Sequence, residues 1–251
     1  MPVKVQDIYD IIDEFAPFNT QEEWDNAGIL AGSKNAGVAR ILCALDLTQG
    51  VIDEAVRLDA ELIVTHHPIL FHARKNLTTD DPEGLLLCSL ARSGKALIAA
   101  HTNFDKASGG VNCVLAQALG LEDIKPLEGG LRIGTWKGTF ARLCENVASS
   151  LNCVVRPYGD AGASVQSVAV CGGAGGSLWK MAREAGADAY VTGEIHHNDA
   201  LDMTAWGLVG CEAGHFHTEN PSVKAMKTAL QNRLDELQYD IMVFNSDYKP
   251  F

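Results

Sequence analysis

The segment RILCALDLTQGVIDEAVRLDAELIVTHHP, residues 40–68, determines the predicted fold. Residues 40–46 and 60–67 are nearly continuous apolar runs, which are typical of parallel strands covered on both faces. The intervening TQGVIDEAVRLD has helical character, with Thr48 as a candidate N-cap. The segment therefore predicts a strand–helix–strand unit whose second strand runs into two adjacent histidines and a proline.

The same alternation extends to both halves of the chain. In the first half, spacing and composition predict helices over 5–15 and 83–93 and a strand over 95–101. In the second half, SVAVCGG and ADAYVTGE are predicted strands on either side of the predicted helix SLWKMAREAG. We therefore predict an α/β fold of two related lobes with mostly parallel sheets.

The glycine-rich segment EGGLRIG, residues 128–134, is the best candidate for a boundary between the lobes. It gives an N-terminal lobe over 1–127 and a C-terminal lobe over 128–251, with 221–245 as a segment that could pack back on the first lobe. Residues 56–67 align without gaps to residues 183–194, so that Thr65 corresponds to Thr192. Either an internal duplication or chance accounts for this similarity.

The composition excludes several classes of protein. A net charge of −12 disfavours a nucleic-acid binder, although a bound metal can reverse the field locally. No run approaches the roughly 18 apolar residues of a membrane span, and the N-terminus lacks the apolar core of a signal peptide, so we expect a cytoplasmic protein. The seven scattered cysteines form no CxxC pair and are expected to be reduced core residues.

All eight histidines fall in four short segments, each directly after a predicted strand. The segments are THHPILFH, AAHTNFD, GEIHHND and AGHFHTE. In open α/β sheets, ligands bind beyond the carboxyl ends of the strands, so a shared site is expected there. A single histidine is more often a hydrogen-bonded structural residue, but four groups at strand ends, three with carboxylates, favour a metal site.

Imidazole with carboxylate suits zinc, iron or manganese better than calcium or magnesium. Pro68 should end the strand ladder, so that His66 and His67 can each bind a different ion. Asp105 and Glu219 are the candidate bridging carboxylates. The roles of the other histidines in these segments stay open on local grounds; they include His72, His196 and His217.

Three further segments have alternative interpretations. Asn220-Pro221 predicts that a helix starts after Glu219, with His215 and Glu219 on the preceding loop. CGGAGGSL, residues 171–178, is interpreted as a tight strand-to-helix turn, although helix N–H groups there could hold a phosphate. WDNAG, residues 24–28, is either a packed loop or part of a pocket lined by Trp24 and Asn26.

The order THHP, HTNFD, TGEIHHNDA, AGHFHTEN, together with WDNAGIL and CGGAGG, resembles the GTP cyclohydrolase I type 2 homologue family, also called the Ngg-one-interacting-factor-three-like family. The resemblance spans almost the whole chain and fits the short form without an inserted domain. It implies a dinuclear metal centre in the cleft between two lobes, with zinc, iron or manganese, and a homohexameric toroid.

The resemblance also implies five metal ligands: His66, His67, Asp105, His215 and Glu219. His101 and His197 match positions near the metals, with an acid–base or supporting role. His196 and His217 depart from the expected pattern, and either could alter substrate choice.

The sequence is consistent with two functions. The first is a dinuclear-metal-dependent hydrolase in which water attacks a nucleotide or a related small molecule, with GTP ring opening as the reaction that the family name implies. The alternative is a non-catalytic metal-binding protein, a metal chaperone or a ring-shaped interaction scaffold. Nucleic acid and membrane are not expected partners.

Overall fold

The computed structural model describes residues 2–248. These divide into two compact units, one made of residues up to 104 and from 223 onward, the other of residues 105–222. The boundary expected at residues 127 and 128 lies within the second unit. The chain therefore leaves the first unit once and returns to it once.

The first unit contains a five-stranded sheet. Its helices and strands, in chain order, are α1 (Val5–Phe15), β1 (Gly28–Ala31), β2 (Arg40–Ala44), α2 (Gln49–Arg57), β3 (Leu62–Thr65), α3 (Pro82–Ser93) and β4 (Ala96–Ala99). At the junctions with the second unit lie α4 (Thr102–Lys106) and α10 (Pro221–Glu236), and β11 (Met242–Asn245) ends the described chain. The strand order is β1-β4-β3-β2-β11.

Strand pairing in this sheet confirms the parallel unit predicted from residues 40–68. β11, β2, β3 and β4 are parallel neighbours, and only the edge strand β1 is antiparallel, among the described strands. The predicted N-cap is present, because the Thr48 hydroxyl accepts the Val51 N–H at 3.2 Å. A core of buried aliphatic residues, including Leu42, Ile63 and Leu97, lies between β2, β3, β4 and α2.

The second unit contains a six-stranded mixed sheet. Its elements, in chain order, are α5 (Val111–Ala118), β5 (Glu122–Pro126), β6 (Arg132–Thr139), α6 (Phe140–Leu151), β7 (Arg156–Tyr158), β8 (Ser164–Cys171), α7 (Trp179–Glu184), β9 (Ala189–Thr192), α8 (His197–Ala205), β10 (Val209–Glu212) and α9 (His215–Glu219). The strand order is β5-β6-β8-β9-β10-β7.

The expectation of mostly parallel sheets is wrong for this second sheet. β8, β9 and β10 are parallel, but β5, β6 and β7 pair antiparallel with their neighbours. β5 and β6 follow one another through a connection of a few residues, and a short connection allows only antiparallel pairing. The α/β class is confirmed, with one sheet almost wholly parallel and the other mixed.

All seven cysteines are free thiols, and four of them are buried, as expected for core residues in the reduced state. No helix within residues 2–248 combines the length and the apolar composition that a membrane crossing needs.

Candidate functional site

In the first unit, three histidines converge at the carboxyl end of the sheet. His66 and His67 follow β3, and His101 follows its parallel neighbour β4, so the three side chains emerge at the same edge. Their ring centroids lie 4.9–5.5 Å apart. One nitrogen from each ring lies within 4.8 Å of the others, which is a spacing that a shared metal ion can bridge.

The backbone bends where the histidine pair begins. The N–H groups of His66 and His67 both donate to the carbonyl of Leu45, at 3.1 and 3.0 Å. The Thr65 hydroxyl donates to the His67 carbonyl at 2.9 Å. A regular strand would send adjacent side chains to opposite faces. Because the strand ends at Thr65, both imidazoles reach the same edge.

Each of the three imidazoles is oriented through Nδ1. His66 Nδ1 donates to the Ala100 carbonyl at 2.9 Å, and this fixes its tautomer because a carbonyl can only accept. His67 Nδ1 lies 2.7 Å from the Asp46 carboxylate, and His101 Nδ1 lies 2.8 Å from the Asp25 carboxylate. The lone pair is thereby placed on Nε2, as in histidines that bind metals. The donor set of this unit fits a divalent transition metal.

Asp25 is the most strongly anchored of these carboxylates. Its side chain is fully buried, and it accepts hydrogen bonds from His101 Nδ1, the Thr102 N–H and the Thr102 hydroxyl. Burial alone would raise the pKa of the carboxyl. The hydrogen bonds from His101 and Thr102 and the charge of His101 together outweigh burial and lower the pKa of Asp25 to about 2. Asp25 is therefore ionised and holds the His101 ring in one orientation.

In the second unit, His215 and Glu219 lie on one face of α9. His215 Nε2 is 3.1 Å from Glu219 Oε2, and His215 Nδ1 is 2.8 Å from Glu194 Oε1. Glu219 is buried, with 4% of its surface exposed. The prediction that both residues lie on a loop is wrong, because His215–Glu219 form the short helix α9; the predicted start of a helix after Glu219 is confirmed by α10, which begins at Pro221. A helix-start signal does not reveal what precedes it.

The glycines of CGGAGG form the wall against which the Glu219 carboxylate packs. A Cβ on Gly173 would lie 2.1 Å from Glu219 Oε1, and a Cβ on Gly172 would lie 3.0 Å from Glu219 Cγ. Gly173 also has a φ of +63°. Interpretation of this segment as a tight turn after β8 is confirmed. Side chains at these positions would displace a candidate ligand.

Asn112 connects the backbone near Asp105 to this wall. Its amide nitrogen lies 3.4 Å from the Asp105 carbonyl and donates to the Gly130 carbonyl at 3.1 Å. Its amide oxygen accepts the Gly172 N–H at 2.7 Å. Asn112 is 1% exposed, so one buried amide fixes the positions of three backbone segments.

Arg132 holds the residues that follow Asp105. Its guanidinium is 3% exposed and donates to the carbonyls of Lys106 and Ala107 at 2.8 and 2.9 Å. It also donates to the carbonyls of Gly130 and Leu131, at 2.7 and 3.0 Å. This buried cation is therefore satisfied by main-chain oxygens, and it fixes the end of α4 on which Asp105 lies.

Comparison with known proteins decides the family. A statistical description of the Duf34/NIF3 (NGG1p interacting factor 3) family matches residues 3–250. The chain belongs to the Duf34/NIF3 family. A relative from Clostridium perfringens, named GTP cyclohydrolase 1 type 2 homolog, is 34% identical over 244 residues, covering 93% of each chain. A second relative with that name, from Clostridium acetobutylicum, is 31% identical and covers 100% of this chain and 99% of its own.

Solved structures share the fold of this Duf34/NIF3 protein. The Staphylococcus aureus hypothetical protein SA1388 superposes with a TM-score of 0.94 at 28% identity, covering 100% of this chain and 99% of its own. Reduced HcgD from Methanocaldococcus jannaschii superposes with a TM-score of 0.80 at 28% identity, covering 98% of each chain. The family resemblance inferred from the sequence motifs is confirmed.

The remaining predicted site residues of this Duf34/NIF3 protein lie outside the compact groups. Asp105 lies half-buried on α4, and His197 starts α8 with an exposed side chain. Neither belongs to a compact group of candidate ligand atoms within residues 2–248. His72 is exposed beside Phe71, and His196 precedes α8.

Four residues that contact the candidate site were not assigned from the sequence. Asp46, Asp25 and Glu194 each pair with a candidate site histidine, and Asn112 positions the turn that contacts Glu219. Three of them follow a strand or lie in a motif already noted, which is the signal that could have identified them: Asp46 after β2, Asp25 in WDNAG and Glu194 after β9.

Proposed function

We propose that this protein is a metal-dependent hydrolase with a dinuclear centre built from residues at the strand ends. The proposed ligands are His66, His67, Asp105, His215 and Glu219. The observation that supports this most directly is the orientation of the imidazoles. His66, His67 and His215 each engage an oxygen acceptor through Nδ1, which directs Nε2 toward a cation.

Two divalent ions at such a centre would lower the pKa of water toward neutrality and polarise the bond to be cleaved. The side chains of the protein would hold the ions in place. Glu219 is the proposed bridging ligand, because the glycine wall leaves its buried carboxylate little freedom to move. The histidine ligands would hold the ions as neutral imidazoles, without adding charge.

His101 is the proposed proton carrier. Its Nδ1 is held by ionised Asp25, so Nε2 can accept a proton and the resulting imidazolium is stabilised by the carboxylate. Release of that proton to the leaving group would complete the reaction. His197, which is exposed on α8, is the second candidate for this role.

The name of the Clostridium relatives makes GTP the first substrate to test, with ring opening and release of formate as the expected products. A homohexameric ring and a cytoplasmic location belong to the same proposal. The free thiols of the chain support a reducing compartment. Light scattering of the purified protein measures the number of subunits.

The experiment combines metal analysis with turnover. Purified protein should hold two equivalents of zinc, iron or manganese per chain, and His66→Ala and Glu219→Ala should lower this ratio. His101→Ala should keep the ratio and lose turnover of GTP or of another nucleotide by about 10²–10⁴-fold. A ratio near one in the unaltered protein would refute the dinuclear centre.

Full metal loading without turnover of any nucleotide would favour the alternative, a metal-binding protein without catalysis. Loss of metal in His101→Ala would instead make His101 a ligand, since its ring lies with those of His66 and His67.

A further inference from the structure

Two exposed aromatic side chains lie beside the candidate proton carrier. Trp24 is 58% exposed and Phe71 is 42% exposed, which is unusual for side chains of this size. Their ring centroids are 5.6 Å apart and their planes are tilted by 52° to one another. Each ring also lies at a steep angle to the ring of His101, at 6.0 and 6.2 Å.

The loops that carry these rings are held in place by their immediate neighbours. Asp25, next to Trp24, is bonded to His101 and Thr102. The Asn26 amide donates to the carbonyl of Leu70 at 2.6 Å, which joins the first loop to the residue before Phe71. The two rings are therefore exposed but preorganised, which lowers the entropy cost of binding a ligand.

We infer that Trp24 and Phe71 form an aromatic platform for the planar heteroaromatic ring of the substrate, which would stack on the face of one ring and meet the other at an angle. An exposed aromatic pair binds flat rings through their faces, and base–aromatic stacking tolerates different bases. His101 contacts both platform rings and also His66, at 5.0 Å between centroids. A ring on the platform would thus place its substituents beside the candidate metal ligands. The placement of the substrate beside metal ligands rests on the proposed function, whereas binding of a planar ring to Trp24 and Phe71 does not.

The platform offers little that could distinguish one base from another. The carboxylate that follows Trp24 in the chain, Asp25, has Oδ1 bonded to His101 Nδ1 and to the Asn26 N–H, and Oδ2 bonded to Thr102. Both oxygens are already used, so this carboxylate does not read the edge of a base. The platform therefore selects planar rings as a class and discriminates weakly between purines.

The test measures ligand binding by calorimetry, with metal-free and manganese-loaded full-length protein. The probes are guanosine 5′-monophosphate, adenosine 5′-monophosphate and ribose 5-phosphate, which lacks a base. Both nucleotides should bind within a few-fold of each other and more tightly than ribose 5-phosphate. Trp24→Ala and Phe71→Ala should each weaken nucleotide binding by about 5- to 150-fold, and Trp24→Phe should restore part of the loss.

Trp206→Ala is the matched control. Trp206 is 62% exposed but lies in the second unit, where Arg183 covers its ring at 4.6 Å. Its replacement should leave nucleotide binding unchanged. Equal affinity of Trp24→Ala and Trp206→Ala for nucleotides, or equal affinity of ribose 5-phosphate and nucleotides, would overturn the inference. So would a loss of subunits in Trp24→Ala, since the rings would then form an interface between copies.

The outcomes separate this inference from the proposed function. Trp24-dependent binding of nucleotides without turnover would refute the hydrolase and support the platform. Metal-dependent turnover of nucleotides that is unchanged in Trp24→Ala and Phe71→Ala would support the hydrolase and refute the platform.

Discussion

Replacing Gly173 by alanine should disable the candidate metal site while leaving the fold intact. The new Cβ would lie 2.1 Å from Glu219 Oε1 and 3.0 Å from His215 Nε2. Ordinary contact begins at 3.4 Å, so the carboxylate would have to retreat by about 1.3 Å (3.4 − 2.1). Metal–ligand distances tolerate only about 0.2 Å. Glu219 cannot both avoid the methyl group and keep its place as a ligand.

Two effects contribute to the cost, and they can be separated. Gly173 has a φ of +63°, and an L-residue in that conformation costs about 1–2 kcal/mol. Steric displacement of the buried Glu219 adds about 1–3 kcal/mol. Gly186 supplies the control for the first effect, because its φ is +85° and nothing lies within 4 Å of a Cβ built there. The free energy of unfolding of Gly186→Ala should therefore fall only by the cost of the backbone strain.

Urea unfolding of the metal-free proteins measures stability, and calorimetric titration with manganese measures affinity. We expect both variants to fold, with Gly173→Ala less stable than Gly186→Ala by the steric contribution alone. Manganese affinity should fall by about 10- to 100-fold or more in Gly173→Ala and stay unchanged in Gly186→Ala. Equal manganese affinity in the two variants would refute the argument that this glycine positions Glu219.

Two further predictions concern the residues that hold the ligands in place. Asp25→Asn should lower the free energy of unfolding of the metal-free protein by about 2 kcal/mol at pH 7, because the carboxyl has a pKa of about 2 rather than 3.8. A carboxyl whose pKa is depressed by folding stabilises the protein at pH values above its unfolded-state pKa, and this stabilisation is lost as the pH falls through the folded-state pKa. The difference in free energy of unfolding between Asp25→Asn and the unaltered protein should therefore narrow from about pH 4 to pH 2. Urea unfolding across that range measures the difference, and a constant value would contradict the prediction. Asn112→Leu should cost about 1–3 kcal/mol, since the Gly172 N–H loses its acceptor, and should also weaken manganese binding by about 10- to 100-fold. The control is Asn146→Leu, which removes a 2.8 Å hydrogen bond to a main-chain carbonyl in the same unit. This variant should be less stable but should bind manganese as tightly as the unaltered protein. If both variants lost the same manganese affinity, Asn112 would have no specific role in positioning the ligands.

Periodicity predicted those parts of the fold that depend on local burial. The apolar spacing of residues 5–15 coincides with α1, Val5–Phe15. The two apolar runs on either side of Thr48 became β2 and β3, side by side and parallel. Parallel strands end at one edge, so the convergence of His66 with His101 followed from the order of elements along the chain.

Which carboxylate pairs with which histidine could not be predicted, because the partners are distant in sequence. Asp46 lies 21 residues before His67, and Asp25 lies 76 residues before His101. No local pattern couples such residues, and only the folded chain shows which carboxylate orients which ring. The short helix α9, His215–Glu219, could not be predicted for a different reason: its five polar and aromatic residues are too few to show a helical period.

The return of the chain to its first sheet has a consequence for synthesis on the ribosome. β2 is a central strand of the finished sheet, with β3 on one side and β11 on the other. About 200 residues separate Ala44 at the end of β2 from Met242 at the start of β11. At roughly 5–20 residues per second, the ribosome needs about 10–40 s to supply that last partner. During this interval the main-chain N–H and C=O groups on one side of β2 form an open strand edge. Binding of a chaperone to this edge, or its pairing with another nascent chain, would compete with completion of the sheet.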